Sequence, residues 1–233
     1  MSRRETFQQL KQSAPGILPS LLMCDFGNLQ REVERLQAAG APALHLDVMD
    51  GNFVPNITYG LPITAALRRL TTLPLDVHLM IDRPNRYLSQ FYEAGADAIT
   101  IHVEASPDPT SDLQAIRRLG AAAGLALNPA TPLADIEPHL DACDMVLVMS
   151  VPAGFGGQAF DPSALDKLRR LSELVGDRCL LEIDGGVNLQ TIGACTGAGA
   201  ELLVVGSAIF RNPDYGQAIS ELQGVANASF QGY

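Results

Sequence analysis

His45-Leu-Asp-Val-Met-Asp-Gly-Asn-Phe-Val-Pro-Asn56 begins as an extended run and breaks into a loop rich in glycine, asparagine and proline. The strand reading starts slightly earlier, at Pro42-Ala-Leu. Successive side chains of a strand point to opposite faces, so His45, Asp47 and Met49 share one face while Leu44, Leu46 and Val48 take the other. An imidazole, a carboxylate and a thioether directed together make a poor core face. A buried carboxylate there is costly unless a metal or hydrogen-bond donors receive it.

The rest of the chain repeats this unit, a short β-rich run followed by an amphipathic stretch. Strands are expected at Gly16–Leu22, Pro42–Met49, Leu75–Ile81, Ala98–Val103, Leu125–Asn128, Met145–Ser150, Leu180–Asp184 and Leu202–Gly206. Helices are expected near 27–39, 61–70, 84–94, 111–123, 133–141, 161–175, 188–198 and 213–223, with Gly40, Gly95, Gly124, Gly176 and Gly199 as terminators. Alternation of this kind implies parallel strands joined by right-handed crossovers. At 233 residues the simplest solution is a single α/β domain over 1–233, a closed (β/α)8 TIM barrel. The rival open sheet lacks its G-x-G-x-x-G fingerprint after the first strand. Residues 1–15 and 224–233 are expected to be peripheral.

Composition narrows the function. A hydrophobic content of 47% supports a sizeable core, while 18% charged residues and a formal charge of −10 disfavour nucleic acid and anionic membranes as partners. Cys24, Cys143, Cys179 and Cys195 are scattered, as in reduced intracellular proteins. The N-terminus has no apolar segment of the kind a signal peptide needs, and a cytoplasmic protein is expected.

In a barrel of this kind the chemistry gathers at the C-terminal ends of the strands. Asp76, His78 and Met80 share a face of strand three, and strand seven ends Glu182-Ile-Asp184-Gly-Gly186. His45, Asp47, His78 and Asp184 can therefore converge on a divalent cation. Their mixed nitrogen and oxygen donors suit Zn²⁺, Fe²⁺, Mn²⁺ or Co²⁺ better than Mg²⁺ or Ca²⁺. His102 and His139 lack such company and read as structural or surface residues. Lys11 lies in the N-terminal extension and Lys167 on an expected helix, so a Schiff-base mechanism has no nucleophile. Gly154-Phe155-Gly156-Gly157, Gly185-Gly186 and Gly206-Ser207 follow strands six, seven and eight, where backbone amides of this architecture cradle phosphate.

HLDVMDGNFVPN, DVHLM, LNPATP at Leu127–Pro132, GFGGQ, EIDGG and VGSAIF together resemble the ribulose-phosphate 3-epimerase family, and the resemblance runs from about Ile17 to Leu222. It implies a barrel of the ribulose-phosphate-binding type, a divalent metal held by His45, Asp47, His78 and Asp184, and interconversion of D-ribulose 5-phosphate with D-xylulose 5-phosphate. It further implies Asp47 and Asp184 as the acid/base pair acting through a cis-enediolate, Ser20 beside the substrate, and Met49, Met80 and Met149 as a cap over it. His78 would also line the substrate site, and a homo-oligomer is expected. Residue types alone leave two alternatives open: a ketohexose 6-phosphate such as allulose 6-phosphate as substrate, or a non-catalytic phosphosugar-binding barrel. Retention of both Asp47 and Asp184 argues against the second. One departure stands out. The family's loop reads Asn-Pro-Gly-Phe-Gly-Gly, whereas here Pro152-Ala153 precedes Gly154. Proline restrains itself and its predecessor, so a lid at this loop would move differently.

Overall fold

The computed structural model describes residues 2–230. Among them, eight parallel strands form one sheet in the order β1-β8-β7-β6-β5-β4-β3-β2. They are β1 (Gly16–Pro19), β2 (Leu44–Met49), β3 (Leu75–Met80), β4 (Ala98–His102), β5 (Ala122–Leu127), β6 (Met145–Met149), β7 (Leu180–Asp184) and β8 (Leu202–Val205). The seam between β1 and β2 is closed by a single parallel bridge, Ser20 to His45. The chain is thus the expected single-domain (β/α)8 barrel.

The outer ring comprises α2 (Leu29–Ala38), α3 (Leu61–Leu70), α4 (Leu88–Ala94), α5 (Pro109–Leu119), α6 (Ser163–Val175), α7 (Ile192–Gly197), α8 (Ser207–Phe210) and α9 (Tyr215–Ser229), preceded by α1 (Arg3–Gln8). Local chemistry sets several of their ends. The Asp108 side chain accepts from the Ser111 amide and Pro109 opens α5, while Asp214 caps α9 through the Gln217 amide.

Three expectations need correction. The helix expected over 111–123 stops at Leu119, because Gly120 turns left-handed at φ 101°. Ala121-Ala-Ala-Gly124 then enters β5 despite its helical propensity. A Cβ on Gly124 would sit 2.1 Å from Thr100 Oγ1, so this glycine serves the sheet rather than a helix end. The crossover expected to be helical at 133–141 consists of 3₁₀ turns at Leu133–Asp135 and Glu137–Ala142, consistent with Pro132 and Pro138 removing amide donors.

The third correction concerns the termini. The N-terminal segment closes the bottom of the barrel: Phe7 is fully buried, and with Leu10 it packs on Leu18, Ala43, Ala98, Ala122, Met145, Leu180 and Leu202. Arg4 Nε and Nη2 meet the buried Asp144 carboxylate at 2.9 and 2.8 Å, and Arg117 Nη2 reaches it at 2.9 Å from the other side. The last helix runs to Ser229 and buries Ala226. Neither terminal stretch is wholly peripheral where it is described; residues 231–233 of the expected tail lie outside the described residues. No helix of the described residues is long and apolar enough to cross a membrane. The four cysteines are buried and unpaired.

Because Phe7 fills the open end of the barrel, Phe7→Ala should cost about 3–5 kcal/mol and lower Tm on the order of 10 °C. Thermal unfolding of the variant checks this, and an unchanged Tm would refute the plug.

Candidate active site

The strand alternation carries His45, Asp47 and Met49 from β2, and Asp76, His78 and Met80 from β3, in paired register toward the barrel interior. Asp47, only 3% exposed, sits at the centre. Ser20 Oγ donates to its Oδ2 at 2.6 Å, while His45 Nε2 and His78 Nδ1 each lie 3.3 Å from its Oδ1. Asp184, half-buried at the end of β7, completes a group whose ligand atoms lie within 4.8 Å of one another.

The electrostatics of the group are divided. Burial disfavours the Asp47 charge, but the positive charge favoured on neighbouring His45 more than offsets it and holds the carboxyl well below its usual range. Asp184 goes the other way: removal from water and the neighbouring Asp47 charge push it up to about 7. Burial likewise opposes a charge on His45, yet Asp47 and Asp76 raise its pKa well above the usual value. For His78 burial prevails, and its pKa is lowered.

Behind the group lies a second, fully buried set. His45 Nδ1 donates to Asp76 Oδ2 at 2.6 Å, and Glu182 stands beside both residues. Burial and the Asp76 charge raise Glu182 well above the usual carboxylate range, and neither of its oxygens has a hydrogen-bond partner among the described residues. Held this way, His45 directs Nε2 toward Asp47. That nitrogen is buried and has no hydrogen-bond partner among the described residues.

The cavity above is lined by Ser20, Asp47, Met49, Met80, Met149, Asp184, Gly185, Gly186, Gly206, Ser207 and the loop Gly154, Phe155, Gly156 and Gly157. His45 and His78 lie beneath it, fully buried. The structure therefore brings together every residue singled out in the sequence as a ligand, cap or loop contact. The loop is tied down at two points: Asn56 Nδ2 donates to the Gly154 carbonyl at 2.7 Å, and the Ala153 amide donates to Asn128 Oδ1 at 3.0 Å. The second bond needs the N–H that alanine has and a proline at this position would lack. Lys167, on α6, spends its ammonium on the carbonyls of Asn128, Pro129 and Thr131, at 2.7 to 3.0 Å.

Sequence reasoning missed His102 and Glu104. His102 is fully buried with Nε2 2.8 Å from His78 Nε2 and Nδ1 3.0 Å from Glu104 Oε2. Burial lowers the His102 pKa to about 4. The signal was present in the alternation of Ala98, Thr100 and His102 along β4, which puts this histidine on the same inward face. His139 lies apart from the site, beside Thr110 Oγ1 at 2.6 Å.

A sequence model of the Ribulose-phosphate 3 epimerase family matches residues 16–210. The chain belongs to this family. Ribulose-phosphate 3-epimerase of Bacillus subtilis (strain 168) is 46% identical over 212 residues, covering 89% of this chain and 98% of the relative. The protein of that name from Synechocystis is 47% identical over 217 residues, with 91% and 93% covered. Among solved structures, the fold is shared with KGPDC from Streptococcus mutans (TM-score 0.69, 14% identity, 94% and 100% covered). It is shared also with a tryptophan synthase alpha-subunit from Pyrococcus furiosus (TM-score 0.67, 18% identity, 91% and 98% covered).

The glycines of this epimerase-family site are not equivalent. Gly186 has φ 61°, and a Cβ there would lie 2.7 Å from the Phe160 amide nitrogen, a contact the backbone cannot relieve cheaply. At Gly206 the nearest atom is Met23 Cγ at 3.1 Å, on a flexible side chain. Gly186→Ala should therefore cost on the order of 2 kcal/mol or more in stability, and Gly206→Ala much less. Urea unfolding of the two variants checks the order; equal losses would contradict it.

Proposed function

We propose that this protein is a metal-dependent 3-epimerase that interconverts D-ribulose 5-phosphate and D-xylulose 5-phosphate. Family membership supports the substrate. The observation that carries the mechanism is the pair Asp47 and Asp184, two carboxyls lining one cavity with pKa values displaced in opposite directions.

The donor set fits a divalent transition metal. The fit rests on the orphaned His45 Nε2 and on His78 Nδ1, both directed at the Asp47 oxygen within the four-residue group. His45, Asp47, His78 and Asp184 would hold the ion. When bound, it supplies Lewis-acid stabilisation of the negative charge that develops on the substrate oxygens.

The chain's own residues do the rest. Inverting a carbon beside a ketone requires removing its proton from one face and delivering a proton to the other. Asp47 on β2 and Asp184 on β7, separated around the barrel by β1 and β8, can serve opposite faces. Ser20 Oγ, donating to Asp47 Oδ2, orients that carboxylate. Met49, Met80 and Met149 form an adaptable apolar surface that keeps water from the cis-enediolate. The glycine loops after β6, β7 and β8 bring backbone amides to the phosphate, which fixes the reacting carbon between the two carboxyls.

Removing the metal by chelation should abolish epimerisation, and adding back a divalent transition metal should restore it. Full turnover by rigorously metal-free protein, verified by elemental analysis, would overturn the reading. Asp184→Asn should lower net epimerisation by about 10²–10⁴-fold. In D₂O the metal-loaded variant should still exchange the C3 hydrogen of one epimer without converting it. Near-parental conversion by that variant would rule out the two-base mechanism.

A further inference from the structure

Glu104 receives donors along nearly its whole carboxylate. Its Oε1 accepts from the Asn128 amide at 2.8 Å, from Asn128 Nδ2 at 3.3 Å and from Thr131 Oγ1. Its Oε2 is left to His102 Nδ1 at 3.0 Å. A carboxylate in this setting accepts and does not donate, so His102 Nδ1 must carry the proton. Neutral His102 then presents a bare lone pair at Nε2.

That lone pair meets His78 Nε2 at 2.8 Å. The two ring planes are inclined by 24° with centroids 5.0 Å apart, so the nitrogens meet edge to edge, as in an N–H···N hydrogen bond. Two lone pairs could not approach so closely, and His102 has no proton to offer there. His78 Nε2 must donate. The consequence falls on the other side of the ring: with one ring proton committed to Nε2, Nδ1, which faces Asp47 Oδ1 at 3.3 Å, is the nitrogen left for a cation. Lone pair facing carboxylate is repulsive by itself and attractive around a cation.

We propose that His102 and Glu104 are positioning residues that lock His78 in the Nε2–H tautomer, leaving Nδ1 as a ready-made donor toward Asp47. Neither touches the four-residue group except through His78. Phe53, with its ring centroid 4.9 Å from that of His102, covers the relay. The inference rests on the metal-site reading for its purpose, though the tautomer itself is a property of the chain alone.

The test uses the full chain labelled with ¹⁵N-histidine, together with Co²⁺ as the metal probe. In metal-free parent protein at mildly alkaline pH, the His78 ¹⁵N shifts should report a protonated Nε2 and a bare Nδ1. In Glu104→Ala, His102 loses its reason to hold the Nδ1 proton, and His78 should become a mixture of tautomers. His102→Leu removes the acceptor and should weaken Co²⁺ binding by about 10–100-fold. His102→Gln, whose amide oxygen can accept from His78 Nε2–H, should recover most of that loss and the parental cobalt absorption spectrum. A parent protein with the proton on Nδ1, or leucine and glutamine variants that bind Co²⁺ alike, would overturn the proposal. A parent protein with the expected tautomer but no affinity for Co²⁺ would overturn the metal reading and leave the relay standing.

Discussion

The Asp47 carboxylate is the constraint to which the upper half of the barrel answers. Almost fully buried, it can remain charged only if its neighbours supply positive charge or hydrogen-bond donors. Ser20 donates to it and the positive charge favoured on His45 faces it, while His78 turns toward it a nitrogen that a cation would share. Both histidines need support of their own. His45 leans on Asp76, with Glu182 buried beside both. His78 leans on His102 and Glu104. One charge thus organises side chains from β2, β3 and β4 and from Ser20 just after β1. The barrel seam itself closes at Ser20 and His45, so the residues that complete the sheet also surround the carboxylate.

Support extends sideways into the loops. Glu104 anchors Asn128 and Thr131, Lys167 gathers the carbonyls of the same loop, and Asn128 takes the Ala153 amide. The segment over the cavity is therefore joined to the buried histidines by a continuous run of hydrogen bonds. The proline displaced to position 152 is what makes this link available, since its neighbour now has an amide proton to give.

Much of this was legible in the sequence, for identifiable reasons. Period-two alternation exposed His45, Asp47, His78 and Asp184 because strands in a barrel have an inside and an outside, and polar residues inside demand explanation. Glycine pairs after the later strands marked the loops. His102 escaped because a single histidine at a strand end carries little signal until its neighbour across the sheet is known. That neighbour is His78, which register places opposite Thr100, two residues before His102, so the pairing is fixed by the sheet rather than by local sequence. Alanines 121–123 misled for a related reason: propensity favours a helix, but Gly120 ends it and pairing with β4 and β6 claims the residues that follow.

The plug beneath the barrel shows why similarity and foldability need not share a boundary. The family match begins at Gly16, yet Phe7 and Leu10 belong to the hydrophobic layer formed by Leu18, Met145 and Leu202. The two ends of the molecule thus answer to different demands. Chemistry fixes the identity of side chains at the mouth atom by atom. The floor asks only for a large apolar group and a cation facing Asp144. Substitutions in the N-terminal segment that keep those two features should therefore leave the mouth unaltered, and those that lose them should be felt in stability before catalysis.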